Sequence, residues 1–188
     1  MRFLDALLGR TRPVKPNLDA LFAVPAAATT LEAAMDLAPT GVGAVCFKTA
    51  EGQAAAQAKA DALALLAAEQ AANVAVSQDD YGYTWIASRH DSSDLAGLVT
   101  DLHAVNATLA DAGYGPSLLC TIVGFAGDSR RLGLVYLFKR GTFYPFAPTG
   151  AHSRDNALEL QARAQLTGEL PVETDLSRWF PIWATPAL

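Results

Sequence analysis

The feature that most constrains this chain is where its apolar period changes. Leu95, Leu98, Leu102, Val105 and Leu109 recur at helical spacing. His90-Asp-Ser-Ser-Asp94 supplies capping side chains before them and Gly113 stands just after, which predicts a helix over 94–112. A stripe of that width has to bury against something. On both sides the pattern becomes strand-like. Residues 83–89 alternate, with Tyr83, Trp85 and Ala87 on one face, and 117–125 form a mostly apolar run. Upstream, the apolar run 42–48 predicts an interior strand, the alanine-rich segment 53–71 a long helix, and 74–77 a short strand joined to 83–89 by a turn at 78–82. Downstream, 132–139 pairs back on 117–125 through Ala126-Gly-Asp-Ser-Arg130, and 142–146 continues extended. Ser153 caps a helix running to Leu166, and an irregular strap with Trp179 and Trp183 closes the chain.

Strand, helix, strand, strand, helix, strand is the order of a ferredoxin-like unit. The expected fold is therefore α+β: an antiparallel sheet of ferredoxin-like type with both helices on one face, extended by extra strands and a C-terminal helix. The alternative is another α+β sheet built from the same segments, such as a secretion-chaperone-like arrangement.

The first 40 residues differ from the rest. Phe3, Leu4, Leu7 and Leu8 share one side of a short helix, and Arg2, Arg10, Arg12 and Lys15 against Asp5 give a local charge of +3. Asn17 caps a second helix that Pro25 ends, Thr30 precedes a third, and Pro39-Thr-Gly41 breaks the chain. The division expected is a helical, basic N-terminal arm over 1–40 and a single α+β domain over 41–188. A length of 188 residues suits one domain. About one residue in five is alanine, so the apolar content of 51% overstates the bulky core. The net charge of -5 argues against nucleic acid as a partner. No apolar run reaches the 18 or so residues of a spanning helix, and the basic, proline-rich start makes a poor signal peptide. A cytoplasmic protein, peripheral to the inner face of the membrane, is the expectation.

No constellation in the sequence names a reaction. Cys46 and Cys120 sit in apolar strand contexts and read as inert core thiols, neighbours if the sheet is ferredoxin-like. His90, His103 and His152 have no metal-ligand spacing, and no metal or cofactor is expected. Asp91 and Asp94 are accounted for as helix caps, and Asp101 is expected in solvent.

Two segments are less easily accounted for. Asp79-Asp-Tyr-Gly-Tyr-Thr-Trp85 sets aromatics beside acids, and Phe138-Lys-Arg-Gly-Thr-Phe-Tyr-Pro-Phe-Ala-Pro148 sets aromatics beside bases. Aromatic and arginine side chains bury area at small entropic cost, which suits interfaces. The candidate interface is Arg10, Arg12 and Lys15 of the arm, Asp80, Tyr81, Tyr83 and Trp85 of the first segment, and Lys139, Arg140, Phe143, Tyr144 and Phe146 of the second. The competing assignment puts these rings in the core. An enzyme with an unfamiliar site at Asp80, Tyr83, His90, Lys139 and Arg140, or a structural homo-oligomer, are the other functional readings.

These segments, with Leu7–Phe22, Ala44–Lys48, Arg154–Leu160 and Trp179-Phe-Pro181, resemble the PspAB family, and the resemblance runs nearly end to end. It implies a link to PspA, a coiled-coil protein that coats stressed membranes, and so a role as adaptor or regulator in envelope stress. It carries no catalytic residues over. A PspA-type coiled coil is the partner it implies, and the basic arm adds an expected weak contact with the membrane surface.

Overall fold

The computed structural model describes residues 16–48, 60, 64, 74–183 and 185–188. Strands β1 (Ala38–Lys48), β2 (Val74–Gln78), β3 (Tyr83–Arg89), β4 (Leu118–Ala126), β5 (Arg131–Leu137) and β6 (Thr142–Phe146) form one six-stranded sheet in the order β2-β3-β1-β4-β5-β6. Every neighbouring pair is antiparallel. A small two-stranded ladder, β7 (Pro148–Gly150) and β8 (Ser153–Arg154), follows. The α-helices described end to end are α1 (Val24–Met35), α2 (Leu95–Leu109) and α3 (Asn156–Leu166).

The helices pack against the sheet. Leu95, Leu98, Leu102, Val105 and Leu109 are all buried, so the stripe that predicts α2 is the side that meets the sheet. Asp94 caps the helix by accepting from the Gly97 N–H at 3.0 Å. The α-helical pattern ends in a wider turn, and Gly113 at φ 91° carries the chain out of it. The ferredoxin-like topology is not established. Of its first helix, expected over 53–71, only Ala60 and Ala64 are described, both helical, and the arm helix of residues 2–9 lies outside the described residues.

Several local expectations are corrected. Pro25 does not end a helix; it stands in the first turn of α1, where its missing N–H has no intrahelical partner to lose. Residues 38–41 are not a break. They belong to β1, which passes an irregularity between Pro39 and Gly43 where Gly41 takes φ 74°. Asp155, not Ser153, caps α3, accepting from the Leu158 N–H at 2.9 Å.

Leu21, Val24, Ala27, Leu31, Met35 and Leu37 are buried in the same core cluster as α2 and the sheet. Together, Leu18–Ala23 and α1 make an 18-residue helical run of mean hydropathy 1.3, long and apolar enough by length and composition to cross a bilayer. No such run was expected. Its buried side chains pack here as those of a core helix do.

Side chains on the opposite face of the sheet form a second cluster: Ala44, Cys46, Trp85, Ala87, Cys120, Ile122, Val135, Tyr144 and Phe146, closed over by Trp179 and Ala187. The cover here is the strap, which among the described residues has one short 3-10 turn, Leu176–Arg178, and otherwise only isolated bridges.

Candidate functional site: an apolar cavity under the strap

Strand register sets a row of side chains across four strands. Trp85 is opposite Cys46, Cys46 opposite Cys120, and Cys120 opposite Leu137. Side chains alternate between faces along a strand, so this row lies on the strap side throughout. Above it is a cavity of about 560 Å³, roofed by Phe180, Pro181, Ile182 and Trp183 and flanked by Tyr81 and Tyr83. The size is ordinary for a small-molecule or side-chain pocket, and the lining is mainly apolar. Tyr81 and Phe180 are each 61% exposed, which leaves two aromatic rings unpaired at its rim. Ile182 and Trp183 also wall a second hollow of about 490 Å³ bordered by Arg130 and Arg131. There Arg130 is already bound to the Met35 carbonyl at 2.6 Å.

The polar groups of the first cavity are satisfied from within. Asp79 accepts from the Tyr81 N–H at 3.0 Å, the Tyr83 N–H at 2.9 Å and the Trp85 indole N–H at 2.9 Å. One carboxylate thus shapes the β2–β3 turn and holds the indole in place. The Tyr144 hydroxyl donates to the Phe180 carbonyl at 2.8 Å, and burial pushes its pKa well up, so it stays a neutral donor. Hydrogen bonding to Cys120, together with burial, pushes the Cys46 thiol far above its ordinary range. Both cysteines are buried and free.

Two buried carboxylates hold the roof. Glu159, on α3, accepts from Arg154 Nε at 2.8 and 3.0 Å and from the Ala147 N–H at 2.8 Å, while Arg154 Nη1 donates to the Trp179 carbonyl at 2.8 Å. Glu173 accepts from Arg140 Nε at 2.9 Å, the Thr142 hydroxyl at 3.0 Å and the Asp175 N–H at 3.1 Å. Burial alone would raise its pKa, but these bonds hold it below the usual carboxylate range. Trp179 stacks on Tyr144 with centroids 5.9 Å apart, and Trp183 meets Phe146 edge-on at 5.2 Å.

The expected interface divides. Tyr81, Tyr83, Trp85 and Tyr144 come together at the cavity. Trp85 and Tyr144 are buried, so they serve as floor rather than exposed surface. Phe143 and Phe146 are core residues. Phe143 points to the helix side, 5.1 Å from Tyr136, and Phe146 is wholly buried under Trp183. Asp80, Lys139 and Arg140 are exposed, and Arg140 is committed to Glu173. Arg10, Arg12 and Lys15 lie outside the described residues.

The alternative catalytic set is dispersed. Tyr83 begins β3 and His90 follows its far end, roughly 23 Å away at strand spacing. His90 instead bridges Asp94 at 2.9 Å and Asp101 at 2.7 Å, and Asp101 also accepts from the Ser88 hydroxyl at 2.9 Å. Asp101 is therefore not a free solvent group as expected; it ties α2 to the end of β3. Among the described residues no group of three or more histidine, cysteine or acidic side chains could hold a metal ion.

Sequence reasoning missed the strap residues Phe180, Pro181 and Ile182 as cavity walls, and with them the buried acids Glu159 and Glu173. Only the aromatic density of 179–183 signalled them. The model of one family, PspAB, PspA associated protein B, matches residues 1–187. No curated protein and no solved structure matches the chain.

Proposed function

This chain belongs to the PspAB family, PspA associated protein B, and from that membership we propose that it is an adaptor or regulator in the envelope stress response, acting by protein–protein contact. Its partner is a PspA-type coiled coil, met at the cytoplasmic face of the membrane. The observation that carries this reading is the apolar cavity with Tyr81 and Phe180 exposed at its rim. A coiled coil presents aliphatic side chains at helical spacing, and an apolar groove with aromatic edges takes such a side chain as an anchor. Asp79 puts acid in the lining of the groove, which favours a basic residue beside the anchor. The bases Arg10, Arg12 and Lys15 suit anionic lipid, at roughly 1 kcal/mol each near the surface and less in high salt.

Titration calorimetry of the full chain against a purified PspA-type coiled coil tests the reading. The double variant Tyr81→Ala, Phe180→Ala should keep its melting midpoint, because both rings stand in solvent, and should bind at least tenfold more weakly. Absence of binding by the wild type, or equal binding by the double variant, overturns the proposal. Deleting residues 1–15 should abolish binding to anionic vesicles and leave the protein folded.

A further inference from the structure

Cys46 and Cys120 are directly opposed on the antiparallel pair β1/β4. Opposed residues in such a pair have Cα atoms about 4.5 or 5.5 Å apart, and a disulfide accepts about 4.4 to 6.8 Å. The register therefore puts the Cα separation within the range that the bond accepts. The two side chains stand side by side on the strap face of the sheet, in one buried cluster. Both also line the cavity, whose rim is open at Tyr81 and Phe180, so a molecule of a few atoms has a route to the sulfurs that a bulky reagent lacks. A thiol pair serving only as core would fit any neutral side chains of similar size, and neither would need to face a cavity.

We propose that Cys46 and Cys120 are a reversible dithiol–disulfide pair, oxidised through the cavity by a small hydroperoxide. One thiol gives up its proton and its sulfur attacks a peroxide oxygen. The O–O bond breaks, a water (from hydrogen peroxide) leaves, and a sulfenic acid remains. The second thiol attacks that sulfur, the S–S bond forms, and the hydroxyl departs as a second water. Two electrons leave the sulfurs and one peroxide is reduced to two waters. Because the second thiol is the cross-strand neighbour of the first, capture of the sulfenic acid outpaces a second oxidation. Burial and its neighbour hold the Cys46 thiol protonated, so attack by Cys46 is slow at neutral pH and quickens as pH rises. A cavity floor that changes from two S–H groups to a disulfide gives the site under the strap two chemical states. This inference does not depend on the partner proposed above.

The test uses the full chain and hydrogen peroxide alone. Intact-protein mass should fall by two hydrogens, peptide mapping should find Cys46 joined to Cys120, and dithiothreitol should restore the starting mass. The oxidised form should melt several degrees higher, because the bond closes a long loop in the unfolded chain. Cys46→Ser should show no loss of two hydrogens. Two thiols still countable after denaturation, oxygen added to either sulfur without an S–S bond, or linkage only between molecules would each overturn the proposal.

Discussion

The two faces of the sheet are covered in opposite ways. On one, α1, α2 and α3 lay aliphatic stripes against the strands, and the cluster is filled by leucine, valine and alanine with a few rings. On the other, an irregular strap lies over aromatic and cysteine side chains, anchored at Glu159 and Glu173 and leaving a cavity beneath. A helix satisfies its own backbone and presents a continuous apolar surface. A strap cannot, so it depends on a few side-chain bonds, and its packing is discontinuous. Stability should therefore reside mainly on the helix face and adjustable binding on the strap face.

Five substitutions would break or sharpen that contrast. The largest effect is expected from Leu102→Ala, at the centre of the helix face and fully buried. It should lower unfolding stability by about 3 kcal/mol in denaturant titration, from lost transfer energy plus a residual cavity. A loss under 1 kcal/mol would mean that the helix face does not dominate. Next is Glu159→Gln, which leaves the Arg154 guanidinium without its charge partner under the strap. About 2 kcal/mol is expected. Amide exchange should accelerate over 176–188 before it does in α2; uniform acceleration would mean that the strap and helices open as one unit. Tyr144→Phe removes only the bond to the Phe180 carbonyl and should cost about 1 kcal/mol, with Phe180 freed.

The smallest effects come from pH, and the faces should respond at opposite ends. Hydrogen bonding to Asp101, then to Asp94, raises the His90 pKa against a desolvation penalty. A group whose folded pKa is raised contributes fully below its unfolded value, near 6.5, and loses that contribution as pH rises through the folded value. The advantage of wild type over His90→Gln should accordingly be greater at pH 5.5 than at pH 9. Glu173 is lowered, so its contribution is present above the ordinary range near 4.5 and is lost as pH falls through the folded value. The advantage of wild type over Glu173→Gln should shrink on acidification. Both advantages changing in the same direction would refute the assignment of these two groups.

The helix side was largely legible in the sequence because its signals are local. The stripe from Leu95 to Leu109 specifies α2 and its buried side together, Asp94 and Gly113 mark its ends, and the alternation in 83–89 specifies the strap-side row that holds Trp85. The same alternation, applied to 142–146, separates Phe143 from Tyr144 and Phe146, although those rings read in sequence as one aromatic patch. Pro25 and Pro39 misled for a different reason. Proline removes one donor and fixes one angle, and both a first helical turn and an irregular strand tolerate that.

By itself the sequence determined the core segments of the six strands of the main sheet, the apolar face of α2 and, through residues spread along the chain, the family. Each of these depends on neighbours a few residues apart or on short runs. Only the tertiary structure decided that Cys46 faces Cys120, that Leu18–Met35 joins the core, that Arg154 and Glu159 clamp the strap, and that Phe180 and Tyr81 edge one cavity. Those pairings join residues up to about a hundred positions apart, and no local period encodes them. They follow from strand register and from which face the last twenty residues cover.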